Sequence, residues 1–229
     1  MVTYTVDQKR LQNFAKQKEK LPELQMFKAF DAVNNFEQCK ELCLEQNFCT
    51  HKFIDKIKTI KNQCMYRHPG KLGHHASFFT LMQKLAQHDD TEWFLIVEDD
   101  IDFHDDIDKL LPPLISKISK INTDYVRLWT DKRKAIQDKQ FLKRNKIEYN
   151  LFHMIPQWGT VGQLISKRGI NTLLTSTPVD VPLDMYISQP RLIKQLKATC
   201  VRNILVTNLG SNTGAHKGTN FGSIIWKRI

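Results

Sequence analysis

Glu98, Asp99 and Asp100 are three consecutive carboxylates placed directly after the apolar run Trp93-Phe94-Leu95-Ile96-Val97. Like charges this close repel unless something positive joins them. A divalent cation bridging to a diphosphate would do so, because Mg²⁺ and Mn²⁺ combine a few carboxylates with substrate phosphate oxygens. The acidic series runs on to Asp102, but an Asp100-x-Asp102 pair is by itself a common pattern. Asp105, Asp106 and Asp108 are read as doing no more than favouring the N-terminus of a following helix. A second stretch with chemical potential, residues 208–218, interleaves glycines with Ser, Asn and Thr and contains His216 and Lys217. Such a loop can cradle phosphate, with Lys217 neutralising a diphosphate and His216 reaching the metal; a surface loop without a ligand is the competing reading.

Something must hold the carboxylates in place, and the pattern of elements supplies it. The run at 93–97 has the continuous apolar character of a strand buried on both faces, so the acidic residues emerge at a strand's carboxyl end, where open α/β sheets bind their ligands. Strands are also expected at 2–6, 26–30, 125–129, 149–155 and 161–165. Helices are expected at 7–20, 35–46, 72–88 and 105–121, and from Ser166, a natural cap, to about Leu174. This alternation predicts an α/β domain with a largely parallel sheet. At 229 residues, with no low-complexity linker, the chain reads as a single domain, 1–229. Within it, 47–69 is read as a loop-rich, Cys-containing insertion and 203–229 as a C-terminal segment. Cys39, Cys43, Cys49 and Cys64 match no standard zinc spacing; buried thiols are the first reading, with disulfides and zinc the alternatives.

Lys and Arg number 34 against 24 Asp and Glu, a net charge of +10, which calls for an anionic partner. Nucleic acid is not expected, because the basic residues are spread along the chain and no RNP, helix-turn-helix or zinc-finger pattern accompanies them. A metal-dependent phosphoesterase lacks the several His and Asp ligands of a two-metal site. No apolar run reaches the roughly 20 residues that span a bilayer, and the first residues lack a secretory layout, so a cytoplasmic protein is expected, with peripheral contact to an anionic membrane open to it.

Three segments in order carry a family resemblance: Gly70-Lys71-Leu72-Gly73-His74-His75-Ala76-Ser77, Trp93 through Phe103, and Trp158-Gly159-Thr160-Val161-Gly162-Gln163-Leu164-Ile165-Ser166-Lys167-Arg168-Gly169. Together with the opening strand and Arg10, and with Pro178-Val179-Asp180-Val181-Pro182-Leu183-Asp184, they resemble glycosyltransferase family 25 over about residues 2–187. The resemblance implies a GT-A-type, Rossmann-like domain that binds a UDP-sugar with Mn²⁺ or Mg²⁺ and passes a hexose, galactose or glucose, to a glycan, lipid-linked glycan or protein with inversion. It implies Asp100 as the leading metal ligand, with Asp102 and His216 beside it. Thr3, Arg10, Ser77, Glu98, Asp99 and Lys217 would face the donor. Asp184, with Asp180 behind it, would be the base that deprotonates the acceptor; a helix N-cap is the competing reading of Asp184. Three positions depart from the family pattern: His74 stands in place of a Cys, Phe78 in place of a His, and Gln163 in place of an aromatic. They leave open a protein that has kept the fold and lost the activity.

Overall fold

The computed structural model describes residues 8–58, 69–128, 151–154, 159–201, 205–208 and 224–228. In chain order the elements are α1 (Gln8–Lys20), β1 (Gln25–Phe27), α2 (Phe36–Glu45), α3 (His51–Lys58), α4 (Gly70–Ala86), β2 (Trp93–Val97), β3 (Ile101–Phe103) and α5 (Ile107–Ile118). Then follow β4 (Tyr125–Arg127), β5 (Leu151–His153), β6 (Gly162–Ser166), α6 (Lys167–Thr175), α7 (Leu183–Ile187), α8 (Pro190–Gln195), β7 (Thr199–Val201), β8 (Val206–Asn208) and β9 (Ile224–Arg228). Seven strands form one sheet in the order β1-β9-β2-β6-β4-β7-β5, and β3 pairs with β8 in a second, two-stranded sheet.

All five residues of β2 are buried, and the side-chain period of two divides them between two cores. Phe94 and Ile96 join residues of α2, α3, α4, α6 and α7 on one face. Trp93, Leu95 and Val97 join α5, with Leu11 and Phe14 of α1, on the other. Helices on both faces therefore explain the unbroken apolar run. They do not require parallel strands, and the expected largely parallel sheet is corrected: among the described neighbours in the large sheet only β4 and β7 run parallel. Burial on both faces produces the same residue pattern whichever way the neighbours run. The C-terminal segment is part of the fold, because β9 lies between β1 and β2 with Ile225 opposite Val97.

The expected loop-rich insertion is also corrected in part. His51–Lys58 is a helix whose Phe53, Ile54 and Ile57 are buried, and Thr50 Oγ1 accepts from the Phe53 amide at 3.1 Å at its start. Apolar residues at i, i+1 and i+4 make one helical stripe that a basic, polar composition hides. Four described cysteines, Cys39, Cys43, Cys49 and Cys200, are buried thiols. Burial, with Cys43 and Asp31 nearby, pushes the Cys39 thiol up to about 12. The expected strand at 2–6, the basic stretch around 132–146 and Cys64 lie outside the described residues.

Two glycines set how closely the elements approach. A Cβ on Gly73 would stand 2.5 Å from the Phe30 carbonyl oxygen, so α4 rests directly on the backbone of residues 30–32. A Cβ on Gly169 would stand 2.4 Å from the Asp124 carbonyl oxygen, so α6 is seated on the start of β4.

Candidate functional site

Glu98 continues the ladder of β2, its amide donating to the Val161 carbonyl at 3.0 Å. The sheet thus fixes the first carboxylate, and one helix fixes the turn that follows. Arg10, Asn13, Gln17 and Lys20 of α1 are spaced three or four apart and share one stripe. Arg10 Nη1 donates to both oxygens of Asp99 at 2.9 and 2.8 Å. Asn13 Nδ2 donates to the Asp99 and Ile101 carbonyls, each at 2.8 Å. Gln17 accepts from the Phe103 amide at 2.9 Å and donates to Asp102 Oδ1 at 3.0 Å. Lys20 reaches Asp102 at 3.1 Å, Asp105 at 2.7 Å and the Phe103 carbonyl at 2.6 Å.

The acidic cluster is thereby divided. Asp99 and Asp102 anchor the turn to α1, and α1 is where Arg10 is engaged. Glu98 faces α4 and residues 160–161, through His74 and Thr160, and the charge of Asp100 acts on it. Burial and then the neighbouring charge of Asp100 push the Glu98 carboxyl up to about 8, opposed by the Thr160 hydroxyl and by Lys71. Thr160 Oγ1 donates to Glu98 Oε1. His74 Nε2 lies 3.4 Å from that hydroxyl and 4.0 Å from Glu98. Burial, reinforced by Lys71 and His75, holds His74 well below the usual histidine range, so it faces Glu98 as a neutral ring.

The first turns of α4 carry this cluster to Asp184. Lys71 Nζ is 3.7 Å from Asp184 Oδ1, and both side chains are largely buried, 8% and 15% exposed. His75 lies between two carbonyls, Lys71 at 2.8 Å and Val181 at 3.0 Å, and so ties α4 to the segment that leads into α7. Burial lowers His75 to about 4, so at neutral pH the ring has a single proton for these two acceptors. Asp184 Oδ1 also accepts from the Met185 amide at 3.1 Å, which fixes its carboxyl at the start of α7. Asp180 is exposed.

Under Glu98, β4 and β6 place a buried polar group in the sheet. Tyr125 donates to Gln163 Oε1 at 2.6 Å and is hydrogen-bonded to Arg127, which is 1% exposed. Gln163 occupies a position expected to hold an aromatic, and it does so as the acceptor for this tyrosine. Lys71, Thr160 and Arg127 were not foreseen as site residues. A lysine in the first turn of a helix with almost no exposed residue was the signal available for Lys71, and a lone arginine inside a strand run was the signal for Arg127.

Ser77 does not face the cluster. Its hydroxyl donates to the Gly73 carbonyl at 2.6 Å and accepts from the Phe30 amide at 2.9 Å, fully buried. The Ser166-Lys167-Arg168-Gly169 segment is likewise structural: Ser166 Oγ donates to Asp124 at 2.6 Å and accepts from Gly169 at 3.0 Å, while Arg168 Nε reaches both Asp124 oxygens at 2.9 and 2.8 Å. Thr3, His216 and Lys217 lie outside the described residues.

Among the described residues no three His, Cys, Asp or Glu side chains gather into a metal cage. Glu98 and Asp100 fit a cation in another way. Their mutual repulsion would be relieved by a divalent ion whose remaining ligands come from a diphosphate. No helix among the described residues is long and apolar enough to cross a membrane. In comparison with known proteins, the family model described as glycosyltransferase family 25 (LPS biosynthesis protein) matches residues 2–187. No curated protein matches the chain.

Proposed function

As the chain belongs to glycosyltransferase family 25 and is by that membership a glycosyltransferase, we propose that it moves a hexose from a UDP-sugar to a hydroxyl of a glycan, lipid-linked glycan or protein, with inversion, on a GT-A-type domain. The observation that carries this reading is the pair Glu98 and Asp100 at the carboxyl end of β2, in a turn held by α1, with Lys71 between Glu98 and a third carboxylate, Asp184. Asp100, with Glu98, would hold Mn²⁺ or Mg²⁺, which when bound stabilises the negative charge on a departing diphosphate.

Asp184 is the better placed of the two candidate bases, because its carboxyl is fixed by Met185 and faces Lys71, whereas Asp180 is exposed. In the transfer, Asp184 takes the proton of the acceptor hydroxyl as that oxygen bonds to the sugar C1 and the bond from C1 to the diphosphate oxygen breaks. The Lys71 ammonium group lies between the two carboxylate sites, where it would offset the growing negative charge of the leaving group. His74 and Thr160 hold the Glu98 carboxyl in one orientation. The reading leaves Ser77 and Asp102 outside the donor and metal sets, and gives Arg10 and Asp99 a supporting role.

Calorimetric titration of UDP with and without Mn²⁺ tests the proposal. Binding should require the metal and weaken by at least about 10–100-fold in Asp100→Ala, the loss that even an outer-shell partner of a metal site causes, while Asp184→Asn keeps binding and loses transfer. UDP binding indifferent both to Mn²⁺ and to Asp100→Ala would sink the metal assignment.

A further inference from the structure

A cavity of about 670 Å³ lies against the amino-terminal ends of β4 and β7, bounded by Ile121, Met154, Ile193 and Ala198 and by the lysines Lys194 and Lys197. Its place relative to Glu98 follows from the strand directions. β2 and β4 both run antiparallel to β6, so they run alike, and β7 is parallel to β4. Glu98 follows the end of β2, whereas the cavity borders Thr123 and Thr199 at the beginnings of β4 and β7. The cavity and the candidate site are therefore at opposite edges of the sheet, separated by roughly a strand length, about 15 Å.

The volume is that of a small-molecule pocket, and its walls are chemically one-sided. The lining is mostly hydrocarbon, with Asn122, Thr123 and Thr199 its neutral polar members, no acidic residue lines it, and its two charged side chains are both cations. Lys194 and Lys197 are exposed and form no ion pair with any described residue. Lys197 sits at φ 46°, the left-handed conformation that a helix end usually gives to glycine. A lysine at that turn costs backbone strain, and strain of this kind gathers at ligand clamps. Ile121, at the rim, is 39% exposed, a large apolar side chain left in water beside the opening.

An apolar pocket with paired lysines at its mouth complements a hydrocarbon chain that ends in an anion. We infer that the cavity takes one chain of an anionic lipid, with its phosphate between Lys194 and Lys197. This is an anchoring site and not the acceptor hydroxyl's site, since it opens at the other edge of the sheet. It stands independently of the UDP-sugar reading.

The test uses the full chain and dodecyl phosphate below its micelle concentration, with inorganic phosphate as the head alone and dodecyl maltoside as the chain alone. Dodecyl phosphate should bind at one site, dodecyl maltoside about 25-fold more weakly, and inorganic phosphate not measurably, since each lysine beside an anionic lipid is worth about a factor of five. Lys194→Glu with Lys197→Glu should remove at least that about 25-fold. Ile193→Glu should abolish binding; because Ile193 is half-buried, the exposed Ile121→Glu is the variant that keeps its fold, and its melting temperature should match the parent's. Vesicles containing phosphatidylglycerol should sediment the parent and not these variants, and vesicles of phosphatidylcholine should sediment neither. UDP affinity should be unchanged in all of them. Equal binding of inorganic phosphate, or of both apolar-wall variants, would overturn the inference, as would a dimer that Ile121→Glu dissociates, which would give the pocket to a second copy of the chain.

Discussion

Replacing Arg10 by Met tests the division of the acidic cluster most directly. The Arg10 side chain is 16% exposed and Asp99 3%, and one guanidinium nitrogen serves both carboxylate oxygens. Hydrogen bonds to charged groups contribute about 1.5–3 kcal/mol, and stripping the partner from a buried charge costs about 3–5 kcal/mol. Arg10 keeps some access to water, so a loss of about 2–4 kcal/mol of folding stability is expected for Arg10→Met, between these limits. Asp99→Asn should cost less, because the amide oxygen still accepts from Arg10 and no negative charge is left behind. The double variant should be more stable than the sum of the single losses implies, with a coupling of about 1.5–3 kcal/mol. Urea unfolding of the four proteins measures this, and UDP titration of the same set separates support from contact. A coupling below about 0.5 kcal/mol, or unchanged stability with a large loss of UDP affinity in Arg10→Met, would refute the reasoning and return Arg10 to the donor.

Gly73→Ala places a Cβ 2.5 Å from the Phe30 carbonyl oxygen, a rigid neighbour, so a loss of about 1–3 kcal/mol is expected from overpacking; a urea midpoint equal to the parent's would show that α4 does not rest on residues 30–32. His75 is held near 4 in the fold against an ordinary value of 6.5, so the folded state disfavours its charged form. The stability this gives is complete above pH 6.5 and falls as the pH drops towards 4, by at most about 3 kcal/mol at 1.36 kcal/mol per pH unit. His74 adds a fall of the same sign. His75→Gln should flatten the pH dependence of the urea midpoint between pH 7 and 4.5, and an unchanged slope would count against it. Ser166→Ala removes the cap that accepts from Gly169 and the hydroxyl that serves Asp124, for about 1–2 kcal/mol by thermal unfolding; no change would mean that Arg168 alone satisfies Asp124.

How much of this was legible in the sequence varied with the physical signal each element leaves. β2 was readable because burial on both faces leaves five apolar residues in a row, and α6 because Ser166 is a capping residue in front of an amphipathic stretch. Strand direction left no trace in either. α3 was missed because three apolar side chains are enough to seat a two-turn helix, fewer than composition needs to signal one. The stripe formed by Arg10, Asn13, Gln17 and Lys20 is polar and leaves no apolar period; its purpose becomes visible only when residues 99–103 stand opposite. In the candidate site, Glu98, Asp100 and Asp184 are legible as carboxylates at a strand end and in the proline-and-aspartate stretch, whereas Lys71, which lies between Glu98 and Asp184, sits inside a segment whose glycines are the visible signal.

Those glycines show why matching motifs and sharing chemistry are separate matters here. Gly73 admits the backbone of residues 30–32, Ser77 closes the same contact, and Ser166, Arg168 and Gly169 clamp α6 onto Asp124. Each meets a packing or hydrogen-bonding demand of the fold, and each would be required whatever sugar or acceptor is handled. The residues that depart from the family pattern next to the carboxylates do something else. His74 lies beside Glu98 as a neutral ring, and Gln163 accepts from Tyr125 under it. A cysteine in place of His74 would withdraw the ring from Thr160, and an aromatic in place of Gln163 would leave the buried Tyr125 hydroxyl to find another acceptor, at a cost of about 1–3 kcal/mol. The two departures therefore alter the surroundings of one carboxylate, Glu98, while the contacts that carry the fold stay in place. Changes that set specificity are expected in that arrangement, because the fold constrains the packing residues and leaves the shell around Glu98 able to vary.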